Sequence, residues 1–307
     1  MKVTKGGVIM LVGGMVLILV GVLLTFFYDG ELGSGNYERM EYTVENLELE
    51  KILVSTSNEN INIYTTNNDE IKVVYYNTRY QEYKITETDT ELELTKISKI
   101  VAFNFDFRST DITIEIPVEL ALTYDIKTSN AKIEINDIKY NDSVFKSSNA
   151  KINAYNLKSD SNLTLTSSNG NIEAKDIDAK VLNIKTSNSK ITLDNITSIE
   201  VDAKTSNGNL NVNNIKAANK INLDTSNSKI IANRIESSNI NIETSNGKVE
   251  TSITGSETSF SKDIQTSNGK IKIGNTDYDK KLYSSNGEEN SLRIKTSNAS
   301  IYTAFNG

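Results

Sequence analysis

The chain contains no cysteine, no histidine and no tryptophan, and it has a single proline. Without cysteine there are no disulfides, thiolate-bound zinc sites, iron–sulfur clusters, lipid-modified cysteines or thiol nucleophiles. Without histidine, Ser-His-Asp triads and nearly all zinc and haem ligation are excluded. Aromatic residues are scarce at 7%, so the 37% of hydrophobic residues must build a largely aliphatic core. Positive charge is also short: 33 Lys and Arg against 40 Asp and Glu leave a net charge of −7. Nucleic acid, which needs a basic surface, is not an expected partner. Asn and Ile are plentiful instead. That composition suits stacked β structure and is poor material for an active site, and no cofactor is expected.

The one long hydrophobic run lies near the start. Val8 to Phe27 carries no charge and nothing strongly polar beyond Thr25. At about 1.5 Å per residue it spans about 30 Å as a helix, the thickness of a bilayer core. Lys2 and Lys5 precede it, and Asp29 and Glu31 follow. The positive-inside rule places residues 1–7 in the cytoplasm and everything after Tyr28 outside. A cleaved signal peptide would have a shorter apolar region and a small-residue cleavage site. This run instead ends in Leu-Thr-Phe-Phe-Tyr, so residues 8–28 are expected to be an uncleaved signal-anchor, with the lipid bilayer as a partner. Residues 29–36, rich in Gly and polar, read as a flexible tether.

The rest of the sequence repeats. Ser-Asn recurs, nearly always as Thr/Ser-Ser-Asn-Gly/Ala/Ser, at Asn130, Asn149, Asn169, Asn188, Asn207, Asn227, Asn246 and Asn268. Outlying copies sit at Asn58, Asn286 and Asn298. A period near 20 over this length marks a solenoid or an array. Apolar residues flank each Asn at fixed offsets, such as Leu182, Ile184, Ile191, Leu193 and Ile196 around Asn188. Spacings of two on either side of the Asn are strand alternation. Each unit therefore reads as strand, bend at Thr-Ser-Asn-Gly, strand, and a second bend near Asn-Ile.

A meander of hairpins and a parallel β-solenoid both fit, since Asn-Gly is a strong hairpin signal. Three features favour the solenoid. The slot after Asn is often Ala131, Ala150, Ser189 or Ser228, which a type I′ turn tolerates poorly. The same residue types recur column by column. Stacked Asn side chains can also form an amide ladder along the axis. The expected fold is thus all-β, a single parallel β-solenoid of about 19–20 residues per coil behind one transmembrane helix. Because the slot already accepts alanine, a solenoid predicts a mild effect for Gly208→Ala. The residue two after each Asn is Lys132, Lys151, Asn171, Lys190, Asn209, Lys229, Lys248 or Lys270, and it should face solvent.

The regular repeats span 124–307 with a looser tail. The run from Ser300 to Gly307 is expected to cap the last coil, Tyr302 and Phe305 covering it. Residues 37–123 hold most of the aromatics and read as longer strands, either the start of the same stack or a separate domain.

Ile112-Thr-Ile-Glu-Ile-Pro117, followed by Tyr124-Asp-Ile-Lys-Thr-Ser-Asn-Ala-Lys-Ile-Glu-Ile135 and the reiterated Thr-Ser-Asn-Gly-Lys/Asn-Ile/Leu units, resembles a known family. This is the bacterial "putative adhesin" β-strand-repeat domain of unknown function, found in Gram-positive envelope proteins and in relatives linked to the Lia-type envelope-stress response. The resemblance covers about residues 40–305. It implies the repeat architecture and carries no catalytic residues.

Candidate chemistry is thin. Parallel β-helices include polysaccharide-active enzymes, which need clustered carboxylates. The closest pairs, Asp176/Asp178 and Asp277/Asp279, fall in turns, where Asp is common for turn reasons. The lysine column could bind anionic envelope polymers such as teichoic acids, but neighbouring acids such as Glu134, Glu173 and Glu250 argue for an ordinary solvated face. Phe103, Phe105 and Phe107 read as core. Tyr75, Tyr76, Tyr80 and Tyr83 are the best candidates for a contact surface. The expected function is non-enzymatic: an adhesin-like binding or stress-sensing surface outside the membrane, with an envelope polymer or protein as partner. The alternative is a passive spacer or scaffold for a membrane partner, and an envelope-polymer enzyme is the weakest reading.

Overall fold

The computed structural model describes residues 37–44, 48–78, 81–98, 110–285, 287 and 290–306. The apolar run 8–28, the tether 29–36, Tyr80, the Phe103/Phe105/Phe107 stripe and Asn286 lie outside the described residues. Among the described residues the structure is all-β, apart from one 3-10 turn at Glu257–Ser259, and no helix is long and apolar enough to cross a membrane.

Strands stack in parallel, each aligned with its equivalent one repeat away. Ile172 faces Ile191, which faces Leu210, which faces Ile230. Leu182, Val201, Ile221 and Ile240 form a second row. These residues alternate with outward ones and fill a continuous aliphatic core, nearly all of it inaccessible to solvent. Within each straight stretch alternation keeps it continuous, because side chains two apart on a strand share a face.

One parity break recurs. Leu193 and Ile196 both point inward although three residues apart. The residue before the second apolar position adopts positive φ and swings the chain outward. It is Asp137, Asn156, Asp176, Asn195, Asn214 and Arg234 in successive coils, with φ between 51° and 60°. Asn and Asp tolerate this left-handed conformation better than other side-chain-bearing residues. Asp176, one of the candidate acids, is therefore a bend residue, and its carboxylate accepts from Asn195.

The stacking order departs from chain order at both ends. The coil formed by Lys51–Ser55 and Asn60–Thr66 lies between the coil of Glu91–Ser98 and Asp111–Pro117 and the coil of Ala121–Thr128 and Ile133–Asn136. Strands from region 37–123 thus pair directly with the regular array. At the far end, Asn290–Thr296 and Ile301–Asn306 insert between the coil of Asn239–Thr244 and Val249–Thr254 and the coil of Phe260–Thr266 and Ile271–Ile273. The C-terminal run is the penultimate coil and not the cap that its sequence position suggested. Tyr302 faces solvent, and Phe305 packs beside Phe260 with ring centroids 5.8 Å apart. Antiparallel strands finish both ends: Glu38–Val44, Ile71–Asn77 and Gln81–Glu87 at one, Thr276–Tyr278 and Lys281–Ser284 at the other. Antiparallel pairing at an end gives a growing parallel stack a different edge from its interior coils.

Candidate functional surface

The bend after each first strand is the most repeated feature of the molecule. Asn130, Asn149, Asn169, Asn188, Asn207, Asn227, Asn246 and Asn268 align along the axis, joined by the outlying copies Asn58 and Asn298. In the spatial order 58, 130, 149, 169, 188, 207, 227, 246, 298, 268, each Nδ2 from Asn130 onward donates to the Oδ1 of the preceding Asn at 2.6–2.9 Å. The ladder is solvent-exposed.

A second ladder, buried, runs two residues earlier. The hydroxyls of Ser147, Ser167, Thr186, Thr205, Thr225, Thr244, Thr296 and Thr266 donate at 2.8–3.2 Å to a carbonyl of the preceding coil. Several also accept from the backbone N–H three residues on, as Thr205 does from Gly208. Sequence reasoning passed over this column. Its signal was present in the invariant Thr/Ser of every repeat, a side chain able to bond inward where alternation demands an inward residue.

The slot after Asn also differs from expectation. From Ala150 onward, in spatial order, it alternates: Ala150, Gly170, Ser189, Gly208, Ser228, Gly247, Ala299, Gly269. A Cβ on Gly208 would sit 1.7 Å from the carbonyl oxygen of Ser189, and Gly170, Gly247 and Gly269 are blocked in the same way. Ala131 and Ala150 occupy a differently shaped slot, so their tolerance does not extend to Gly208.

The outward lysines are partly neutralised. Lys132 pairs with Glu134, Lys151 with Glu173 at 3.0 Å, and Lys229 and Lys248 share Glu250, each at 2.5 Å. The paired lysines hold Glu173 and Glu250 below the ordinary carboxylate range. Where Asn replaces Lys in this column, its amide oxygen accepts the next coil's backbone N–H, as Asn171 does from Lys190.

The tyrosine surface is not available as expected. Tyr75 and Tyr83 are buried at 7% exposure and pack edge to face with centroids 5.6 Å apart; Tyr76 is half-buried. They form the core of the end cap, because the antiparallel strands there present one face to the last coil. Beside them lies an ion pair that sequence reasoning missed, Lys96 Nζ to Glu59 Oε1 at 2.6 Å. Glu59 occupies the Gly/Ala slot after Asn58 and also accepts from the Asn58 backbone. Burial opposes its charge, but Lys96 and the backbone donor outweigh burial and keep its pKa below the usual range. Burial first, and the Glu59 charge second, push the Tyr83 phenol up. Asp277 lies opposite Lys272 on an antiparallel end strand.

The sequence matches the family model described as Toastrack DUF4097 over residues 49–302. The chain belongs to the Toastrack DUF4097 family. This match spans both displaced end coils as well as the regular array. Two solved structures are similar to this Toastrack chain. One is a "putative adhesin" from Bacteroides fragilis, 12% identical, covering 88% of this chain and 97% of that one with a TM-score of 0.41. The other is a "putative cell adhesion protein" from Clostridium sporogenes, 13% identical, covering 88% and 100% with a TM-score of 0.22. No curated protein matches the sequence.

Proposed function

We propose that this Toastrack protein is a membrane-anchored, extracytoplasmic, non-enzymatic binding or stress-sensing surface of a Gram-positive envelope. Residues 8–28 would hold it in the bilayer, with the cytoplasmic N-terminus on one side and the β stack on the other. The register carries the reading. Each outward position is repeated coil after coil, about 4.8 Å apart, in rows such as Thr192, Asn211 and Ile231. Such rows place outward side chains at regular intervals along one axis, which suits contact with an extended or repetitive partner. The spacer reading is favoured by a different observation: outward amides donate to the equivalent side chain of the preceding coil, Asn222 to the Asp202 carboxylate and Asn241 to the Asn222 amide oxygen, leaving them less free for a partner.

Protease added to intact, wall-stripped cells should digest the β stack and leave the cells unlysed. Full protection would overturn the topology, and a mature N-terminus beyond Tyr28 would overturn the anchor. Replacing the outward residues Asn211 and Ile231 with charged ones should abolish capture of envelope material if the surface binds, and leave it unchanged if the stack only sets reach.

A further inference from the structure

The insertion of the C-terminal coil assembles a surface that chain order hides. Along one outward row, Glu250, Tyr302 and Lys272 become neighbours, although Tyr302 is the last of them in sequence. In the adjoining row, Lys229, Lys248, Ser300 and Lys270 follow one another through backbone hydrogen bonds. Lys248 Nζ lies 4.2 Å from the centre of the Tyr302 ring, and Tyr302 is 39% exposed. One carboxylate, Glu250, serves both Lys229 and Lys248. Among the described residues, Lys270 and Lys272 form no ion pair, and Asp277 lies opposite Lys272 in register. A chain whose net charge is −7 thus places four lysines within two coils of one exposed tyrosine at its far end.

We propose that this patch, Lys229, Lys248, Lys270, Lys272 and Tyr302, binds a polyanionic polymer chain. The inference rests on the binding-surface reading above and names the partner's chemistry. Lys248 and Lys270 lie two coils apart, with Ser300 between them, or about 10 Å. Charges repeating along a linear polymer can meet such a row without bending. Lysine provides a point charge suited to phosphodiester or carboxylate, without the fixed fork that arginine would impose. The tyrosine adds a flat surface and a hydroxyl between the charges. Toward the other end of the column, Lys132 and Lys151 each have their own glutamate, and Lys190, which forms no ion pair among the described residues, stands alone between Asn171 and Asn209.

The test uses the full-length protein in uncharged detergent micelles, titrated with poly(glycerol phosphate), with polygalacturonate and with neutral dextran. Binding to one or both polyanions is expected at about 0.05 M salt, fading at about 0.5 M as screening shortens the reach of the lysines. The responding polymer distinguishes phosphodiester from carboxylate. K270Q/K272Q should weaken it roughly twentyfold, since a lysine near an anionic surface contributes about fivefold in affinity. K146Q/K185Q makes the same change in net charge on exposed lysines before the Asn bend, and should leave binding unaltered. Equal dextran binding, an equal loss in both double variants, or no loss in K270Q/K272Q would overturn the proposal. If neither polyanion binds while cells still capture envelope material through the stack, the patch is wrong and the binding-surface reading stands. Protease protection of the stack on intact cells would remove that reading itself.

Discussion

At the residue scale, the two hydrogen-bond ladders and the glycine slot make different demands on substitution. The Asn ladder is exposed, so water replaces a lost amide bond. Asn207→Leu should cost about 0.5–1.5 kcal/mol. Thr205 is buried, and Thr205→Val would leave both the Ser189 carbonyl and the Gly208 N–H short of a partner. That change should cost about 1–3 kcal/mol. Gly208→Ala should be the worst of the three, at about 3 kcal/mol or more, because the added Cβ overlaps a backbone carbonyl that cannot rotate away. Denaturant melts of the three variants check the ordering, and a mild Gly208→Ala would contradict the slot geometry. The expectation from sequence was the reverse for Gly208. It assumed that one column has one shape, whereas alternate coils shape it differently.

At the scale of a single element, the outward swing and the end cap each contain a residue under visible constraint. Arg234 holds φ of 51° where its equivalents are Asn or Asp. Arg234→Asn should raise stability by about 1 kcal/mol, as a better-suited side chain takes the left-handed position. A lower melting temperature for this variant would show that the bond from Arg234 to Asn213 outweighs backbone strain. In the cap, Glu59 has its pKa depressed below the ordinary 4.5. Its contribution to stability is therefore present above about pH 4.5, the unfolded value, and is lost as pH falls through the lower folded value. Glu59→Gln should flatten that acid-side loss. Near neutral pH the same variant should be less stable by about 3 kcal/mol, because Lys96 would lose its counter-ion in a nearly buried site. Unfolding free energies measured from pH 7 to pH 3 would show both effects, and parallel pH curves for wild type and variant would refute the assignment.

At the scale of the whole molecule, the order of coils is open to direct test. The chain has no native cysteine, so introduced pairs report without background. Asn246 and Asn298 are ladder neighbours, and the Asn246→Cys/Asn298→Cys variant should form a disulfide on mild oxidation. Asn246→Cys/Asn268→Cys should not, since a coil lies between them and the separation of about 10 Å exceeds disulfide reach. Chain-order stacking predicts the opposite pair. The same insertion brings Tyr302 beside Lys248, so the crosslinking result also bears on the proposed polyanion patch.

The sequence by itself determined the coil. A period of 19–20, strand alternation around each Asn and a constant bend at Thr-Ser-Asn are local properties, and each repeat states them again. The all-β parallel stack and its Asn ladder follow from that repetition, because only stacked equivalents place like residues side by side. Even the outward swing was legible in the spacing of three between Leu193 and Ile196. Only the tertiary structure decided the order of coils at the two ends. All coils carry interchangeable edges, so pairing energy along the sequence does not distinguish the 239–254 coil's neighbours. The connection lengths and end strands settle that choice. It also decided that Tyr75 and Tyr83 are cap core and not contact surface, since burial depends on what covers a strand face and alternation does not specify the cover. Finally, it decided which glycines are obligatory, because the obstructing atom at each belongs to a residue 19 to 30 positions away.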